Sequence, residues 1–285
     1  MKGFKNIIAC LSAFSLLLWS CQTVVEIDLP EHEPKLVVNA VFNPDSLLTV
    51  DVSASQSAFS NNEHQQLENA TVSLFQEGKH LLDFPHIGNG IYQAAEKPEA
   101  LQQYELRVSA AGFPQASAIT SVPGQAVIDN LQATVEPARS DWEGTTLNAF
   151  FTLKDTPNEE NFYYLQAFTP DTTGDGEAFN RYVHLESSSP IEYEFSMETR
   201  LFFSDKLFNG EALELKLNLE NNPYRTTYVQ IAQVTKEYYQ YVKTLDKQSY
   251  GDNLNLTPVS VSNNIINGMG LFGAYNAQTL TFKVE

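Results

Sequence analysis

The feature that most limits what this chain can fold into is a series of short runs in which apolar and polar residues alternate. The alternation begins at Lys35, and turn residues such as Asn43-Pro44-Asp45 separate successive runs. A period of two is typical of β-strands, and no helical pattern intervenes. The first runs are Lys35–Phe42, Leu47–Ser53, Ala70–Phe75, Lys79–Phe84, Gly90–Ala94 and Tyr104–Ser109. They predict an immunoglobulin-like or transthyretin-like β-sandwich over residues 35–123, without the paired cysteines of antibody domains.

The segment Val122-Pro123-Gly124-Gln125 interrupts this pattern and predicts a junction between two domains. The chain of 285 residues is also near the length at which a single core stops growing. Further strand-like runs follow the junction: Ala126–Val135, Thr145–Leu153, Phe162–Phe168, Phe179–Leu185, Ala212–Leu219, Thr227–Val234 and Thr279–Val284. We therefore predict an all-β chain in which residues 124–285 form a second, mostly-β domain.

One segment of the second domain has helical periodicity instead. Apolar residues recur at helical spacing within 236–248, namely Tyr238, Tyr239, Val242 and Leu245. Thr235 precedes them and is a suitable N-cap, so we predict a short helix packed against a sheet. Closer to the end of the chain, Gly268, Gly270 and Gly273 predict places where the backbone turns or approaches a neighbour closely.

The N-terminus has the pattern of a bacterial lipoprotein signal. Lys2 and Lys5 precede an apolar run that is too short to span a bilayer, and Leu18-Trp19-Ser20-Cys21 resembles a lipobox. We predict a signal peptide over residues 1–20, an acylated Cys21 and a tether over residues 21–34. Gln22 after the cysteine favours the outer membrane. An ordinary signal peptide cut elsewhere, or an apolar core segment, is the alternative.

Composition and motifs exclude several classes of function. The chain carries 35 acidic and 17 basic residues, a formal net charge of -18, with no basic cluster, which excludes nucleic-acid binding. There is no Gly-x-Ser-x-Gly, no His-Glu-x-x-His and no phosphate-binding glycine loop. The five histidines lack the spacing of metal ligands. We therefore expect a protein without enzymatic activity and without a cofactor.

Four residues are candidates for contact with a ligand, a metal or a partner. Asp171 and Asp175 have part of the spacing of a calcium loop, but the twelfth position is Tyr182 instead of glutamate, and a polar hairpin turn is the competing interpretation. Trp142 lies among polar loop residues and could meet a ligand or fold back on the sheet edge. Tyr275 belongs to a tyrosine-rich second domain, where 11 of the 13 tyrosines of the chain lie.

Several segments together resemble one family across nearly the whole mature chain. They are Val25–Pro30, Pro34–Val38, Tyr104–Phe113, Ser204–Gly210, Glu237–Tyr241 and the glycine-rich Gly268–Tyr275. They are similar to the domain of unknown function 4249 family, which comprises envelope lipoproteins of Bacteroidota. The resemblance implies a gene neighbour that encodes a TonB-dependent outer-membrane receptor, and it supplies no catalytic residues.

These observations lead to two functional hypotheses. The first is an outer-membrane lipoprotein that acts as a non-enzymatic accessory subunit of a TonB-dependent β-barrel receptor and helps it to capture a ligand. The alternative is a structural or assembly lipoprotein of the cell envelope that binds no small ligand.

Overall fold

A computed structural model of the chain describes residues 33–57, 65–137, 145–183, 185–187, 189, 195–197, 200–221, 226–254 and 259–280. These ranges are rich in strands and contain one α-helix, which confirms the all-β prediction. Pro34–Glu285 is a single compact unit. Within the described ranges, no helix combines the length and apolar character needed to cross a membrane.

The strands that precede Val122 are short. They are β1 (Leu36–Phe42), β2 (Thr49–Ala54), β3 (Gln65–Gln66), β4 (Thr71–Gln76), β5 (Lys79–Asp83), β6 (His86–Gly88), β7 (Ile91–Gln93), β8 (Gln103–Ser109) and β9 (Ala116–Ser121). Six of them coincide with the predicted runs, whereas β3, β6 and β9 were not predicted. In β1, buried and half-buried residues alternate along the whole strand, as a period of two requires.

The strands after this point range from three to thirteen residues, and a helix lies between the last two of them. They are β10 (Val127–Glu136), β11 (Thr145–Lys154), β12 (Phe162–Thr172), β13 (Ala178–Val183), β14 (Leu185–Ser187), β15 (Phe195–Met197), β16 (Arg200–Ser204), β17 (Ala212–Asn221), β18 (Tyr228–Val234) and β19 (Gly268–Leu280). The helix α1 spans Lys236–Leu254, and a 3-10 turn spans Asp205–Leu207. Strand β19 begins at Gly268, well before the predicted Thr279.

Three sheets form the fold. The longest has the order β15-β16-β12-β18-β19-β1-β2-β7-β6, with β13 also paired to β12 and β3 to β2. The two smaller sheets have the orders β5-β4-β8-β9 and β10-β11-β17-β14. Strand β19 is parallel to β1 and antiparallel to β18, so the last strand joins elements from the two ends of the sequence.

Two hydrophobic cores share β19. Phe272 and Ala274 of this strand belong to the core between the long sheet and the β5-β4-β8-β9 sheet. Leu280 belongs to the core between the long sheet and the β10-β11-β17-β14 sheet. Because Phe272, Ala274 and Leu280 all lie at even positions of one strand, the two smaller sheets pack side by side on the same face of the long sheet.

The predicted junction lies where these two cores meet. Asn276 of β19 donates a hydrogen bond from Nδ2 to the carbonyl oxygen of Pro123 at 3.0 Å. Gln278 likewise donates from Nε2 to the carbonyl oxygen of Ala126. The connection between β9 and β10 is therefore held against the C-terminal part of β19. A boundary between independently folding domains at this point stays a prediction.

Glycine is required where β19 meets β1. Gly270 has φ of +116°, and a Cβ atom there would lie 2.2 Å from the carbonyl oxygen of Val38. Added Cβ atoms on Gly268 and Gly273 would lie 2.9 Å from the carbonyl oxygen of Leu36 and from Cβ of Tyr238 respectively. The glycine-rich segment thus lets a strand approach its neighbours closely. Of the two predicted possibilities, a turn or a close approach, the structure has the close approach.

Candidate functional site

The opposite face of the long sheet carries helix α1 and a third hydrophobic cluster. Tyr238, Tyr239 and Val242 of the helix pack on Phe202 of β16 and Leu271 of β19. Tyr275, also of β19, is partly buried and packs against this cluster.

Thr235 caps the start of the helix, as predicted. Its Oγ1 accepts hydrogen bonds from the backbone N–H of Tyr238 at 3.4 Å and of Ala274 at 3.2 Å. The second of these bonds comes from β19, so the cap also fixes the helix start to the sheet.

A row of polar side chains crosses this face beside the helix. The register places Arg200 of β16 opposite Gln166 of β12, and Gln166 opposite Gln230 of β18. Nε of Arg200 donates to Oε1 of Gln166 at 2.8 Å. Nε2 of Gln166 donates in turn to Oε1 of Gln230 at 2.8 Å. The chain of hydrogen bonds holds the guanidinium in one position on three neighbouring strands.

Tyrosines surround this row. The guanidinium carbon of Arg200 lies 5.1 Å from the ring centroid of Tyr164, a cation–π arrangement. Nη1 of Arg200 donates to the hydroxyl of Tyr238 at 3.3 Å. The ring of Tyr275 stacks on that of Tyr238 with centroids 6.1 Å apart and meets Tyr164 at 5.7 Å. We call Arg200, Gln166, Gln230, Tyr164, Tyr238 and Tyr275 together the Arg200 site.

The electrostatics of the Arg200 site are unusual. Burial acts to lower the pKa of Arg200, but four tyrosine hydroxyls act to raise it, and the net shift is upward. Burial raises the pKa of Tyr164 and of Tyr275, so these hydroxyls stay neutral. Among the described residues, no carboxylate lies within ion-pair distance of Arg200. Arg200 is the one charged residue among the six that define the site, and Asp45 is near enough to Tyr275 to raise the pKa of that hydroxyl.

The hydrogen-bonding capacity of Arg200 is only partly used. A guanidinium has five N–H donors. Two of them reach Gln166 and Tyr238, which leaves three without an acceptor in the part of the protein that the structure describes. Two of the three belong to Nη2 and one to Nη1, the pair of nitrogens that binds a planar anion through both atoms.

A cavity of about 290 Å³ is lined in part by Arg200. Its walls come from β1, β16, β19 and α1 and are mostly apolar, with polar groups from Asn39, Tyr238 and Tyr241. The lining residues are Asn39, Val41, Arg200, Phe202, Tyr238, Tyr241, Val242, Leu245 and Leu271. An apolar cavity with a few convergent polar groups is the usual form of a small-molecule site.

A buried polar network supports β16 at the end opposite Arg200. Asp205 accepts a hydrogen bond from the backbone N–H of Asn161 at 2.8 Å. Asp155 accepts from the hydroxyl of Tyr163 and from the backbone N–H of Gly210, both at 2.8 Å. Burial raises the pKa of Asp205, and nearby Asp155 raises it further. These carboxylates have internal partners and join loops to strands, which explains why the Ser204–Gly210 segment stands out in the sequence.

Of the contact candidates chosen from sequence, only Tyr275 is placed at the Arg200 site. Asp171 pairs with Arg181 across the β12–β13 hairpin, with Oδ2 2.8 Å from Nη2. Asp175 lies in the turn of that hairpin, which Gly176 closes by donating from its N–H to the carbonyl oxygen of Thr173 at 2.9 Å. In the described ranges, no group of three or more His, Cys, Asp or Glu side chains could hold a metal ion. Trp142 and Cys21 lie outside the described residues.

Sequence reasoning missed Arg200, Gln166 and Gln230. Arg200 is the first residue of a strand that the sequence pattern did not predict, and nothing in its local sequence indicates that it pairs with Gln166. Gln166 did carry a signal, since it interrupts the otherwise apolar run Phe162–Phe168. A polar residue in the middle of such a run indicates either an open sheet face or a buried hydrogen-bond partner.

Comparison with known families gives a match over most of the chain. The family model described as a domain of unknown function, DUF4249, matches residues 22–281, which is most of the chain. Comparison with curated proteins gives no significant match.

Proposed function

We propose that this chain, which belongs to the DUF4249 family, is an outer-membrane lipoprotein that captures a ligand for a TonB-dependent receptor and performs no chemistry on it. The observation that carries the proposal is the cavity beside Arg200, where a charged group with unused donors lines an apolar space. Such a combination supports binding because it offers both burial and orientation to a small molecule.

The excess of acidic residues in the chain gives a second argument that the cavity beside Arg200 binds a ligand. With 35 acidic residues against 17 basic ones, a carboxylate partner for Arg200 was abundantly available in the composition. A half-buried charge without a counter-charge costs stability. Among the described residues no carboxylate pairs with Arg200, and an anionic ligand would supply a counter-charge.

The N-terminal lipobox supplies the location in this proposal. Several acyl chains on Cys21 would hold the protein at the membrane, and residues 22–34 would give it reach. Confinement to the membrane plane raises the effective concentration of the captured ligand near a receptor barrel.

Co-purification tests the partner. The tagged protein is isolated from detergent-solubilised outer membranes, and the accompanying proteins are identified by mass spectrometry. We expect a TonB-dependent barrel in stoichiometric amount. Recovery of the lipoprotein alone, or with envelope assembly machinery, would contradict the accessory role and favour the structural alternative.

Membrane fractionation of a Cys21→Ser variant tests the anchor separately. We expect wild type in the outer-membrane fraction and the variant released from it. A variant that stays in that fraction would refute anchoring through Cys21.

A further inference from the structure

We infer that the Arg200 site takes a monovalent carboxylate attached to a compact apolar group, an inference that rests on the proposed ligand-capture function. The carboxylate would be bound by the unused N–H groups of Arg200, and the apolar group would fill the adjoining cavity.

The free donors of Arg200 define the polar end of the ligand. Nη1 has one N–H and Nη2 has two without a protein acceptor in the described ranges. A carboxylate presents two oxygens in the plane and spacing that these two nitrogens match. Because Gln166 and Tyr238 hold Nε and Nη1, the fork is already oriented before a ligand arrives, which reduces the entropic cost of binding.

The charge of the site favours a single negative charge over two. Arg200 is the one charged residue among the nine described residues that line the cavity. Burial raises the pKa of Tyr164 and of Tyr275, which keeps these hydroxyls neutral, and the chain as a whole has a formal net charge of -18. A phosphate dianion would have one unit of charge uncompensated in a half-buried place, whereas a carboxylate is neutralised by Arg200 alone.

The cavity defines the apolar end. Val41, Leu271, Phe202 and Val242 provide hydrocarbon and aromatic walls. A volume of about 290 Å³ lies at the lower end of the range for small-molecule pockets, roughly 300–1,000 Å³. It suits a group about the size of one large side chain. Two sources offer this chemistry: a free branched or aromatic acid, and the last residue of a peptide.

Isothermal titration calorimetry on the full-length protein in a non-ionic detergent tests the inference with matched compounds. Isocaproate is compared with isocaproamide, and the tripeptide Gly-Gly-Leu with its C-terminal amide. Each pair shares an isobutyl group, and the two members differ in that a neutral carboxamide, with one acceptor oxygen and two N–H donors, replaces the carboxylate. We expect at least one acid to bind about tenfold or more tightly than its amide, the factor that corresponds to one charge-assisted hydrogen bond. Preference for isocaproate identifies free acids as the source, and preference for the tripeptide identifies peptide ends.

Variants locate the binding. Arg200→Gln should abolish the preference for acid over amide, and Arg200→Lys should restore part of it, because lysine keeps the charge but lacks the planar fork. Val41→Phe should weaken acid binding by filling the cavity while Arg200 stays in place. Arg181→Gln is the matched control, since Arg181 is exposed and pairs with Asp171 on the neighbouring hairpin, and it should bind like wild type. Thermal unfolding of each variant shows whether it is folded.

The outcomes separate this inference from the proposed function. Equal affinity for acid and amide, or an unchanged preference in folded Arg200→Gln, would overturn the carboxylate assignment. If neither acid binds, that assignment is wrong, while ligand capture stands if a receptor barrel co-purifies or if neutral oligosaccharides, titrated in the same way, bind. If no compound binds and no receptor barrel co-purifies, both are wrong.

Discussion

Replacing Gly270 with alanine should destabilise the fold by several kcal/mol, and the structure attributes the loss to two separate causes. At φ of +116°, a residue with a Cβ atom is strained by about 1–3 kcal/mol. In addition, the new Cβ atom would lie 2.2 Å from the carbonyl oxygen of Val38 and 2.9 Å from its carbonyl carbon. Both are backbone atoms in the β1–β19 ladder, so the strands must separate locally. Overpacking of this kind adds about 1–3 kcal/mol.

Gly88→Ala is the matched control. Gly88 has φ of +124°, and nothing lies within 4 Å of the position that its Cβ atom would occupy. The control variant therefore carries the backbone strain without the steric conflict. The difference between the two variants measures the close approach of β19 to β1, about 1–3 kcal/mol.

Urea unfolding followed by circular dichroism gives the free energy of unfolding for wild type and both variants. For a chain of this size, each kcal/mol corresponds to about 2–4 °C in Tm, so thermal unfolding should place Gly270→Ala below Gly88→Ala by several degrees. If Gly270→Ala loses no more stability than Gly88→Ala, the close parallel pairing of β1 with β19 is not a source of stability and our account of the fold is wrong.

Three other changes test the cores and the buried network. Phe272→Ala removes a fully buried ring that meets Phe42 edge-on with centroids 4.9 Å apart, and it should cost about 3–5 kcal/mol in denaturant unfolding; a loss below about 1 kcal/mol would contradict the shared core. Thr235→Ala should cost about 0.5–2 kcal/mol by removal of the helix cap, with Thr235→Ser retaining most of the stability; equal losses in the two variants would argue against capping. Because burial raises the folded-state pKa of Asp205 above its usual value of 3.8, the contribution of this residue to stability is fully present below pH 3.8 and is lost as the pH rises through the folded pKa. Asp205→Asn should remove this dependence on pH. The difference in unfolding free energy between wild type and variant should therefore change with pH just above 3.8, and a difference that stays constant would refute the raised pKa of Asp205.

The sequence was most informative where structure is set by neighbouring residues. Period-two alternation identified β1, β4, β8 and β11 almost to the residue, because each buries one side of a strand. Thr235 and the spacing of Tyr238 and Val242 identified the helix for the same reason. The start of β19 was missed, since a strand that opens with Gly268, Met269 and Gly270 has few of the side chains that mark strands. Gly268 and Gly270 are explained by β1, which lies more than two hundred residues earlier in the chain, and Gly273 by Tyr238 of the helix.

The Arg200 site could not be predicted from local pattern at all. It depends on the register that sets Arg200 opposite Gln166 and Gln166 opposite Gln230, and these residues lie far apart in the sequence. Tyr275 was selected for its tyrosine-rich surroundings, and its neighbours Tyr164 and Tyr238 come from a different strand and from the helix. Local sequence indicates which residues share a face of one strand but not which strands become neighbours.

Strand β19 connects the fold to the site, because its two faces pack against different parts of the molecule. Phe272 and Leu280 face the two cores on one side. On the other side, Leu271 lines the cavity and Tyr275 packs against the cluster under the helix. A slip of one residue in the pairing with β18 would exchange the two faces. Asn276 would then face the side of the sheet that carries Arg200, and Tyr275 would face a hydrophobic core. Variants that disturb β19 should therefore lose ligand binding together with stability, whereas Arg200→Gln should lose the carboxylate preference with a much smaller effect on unfolding.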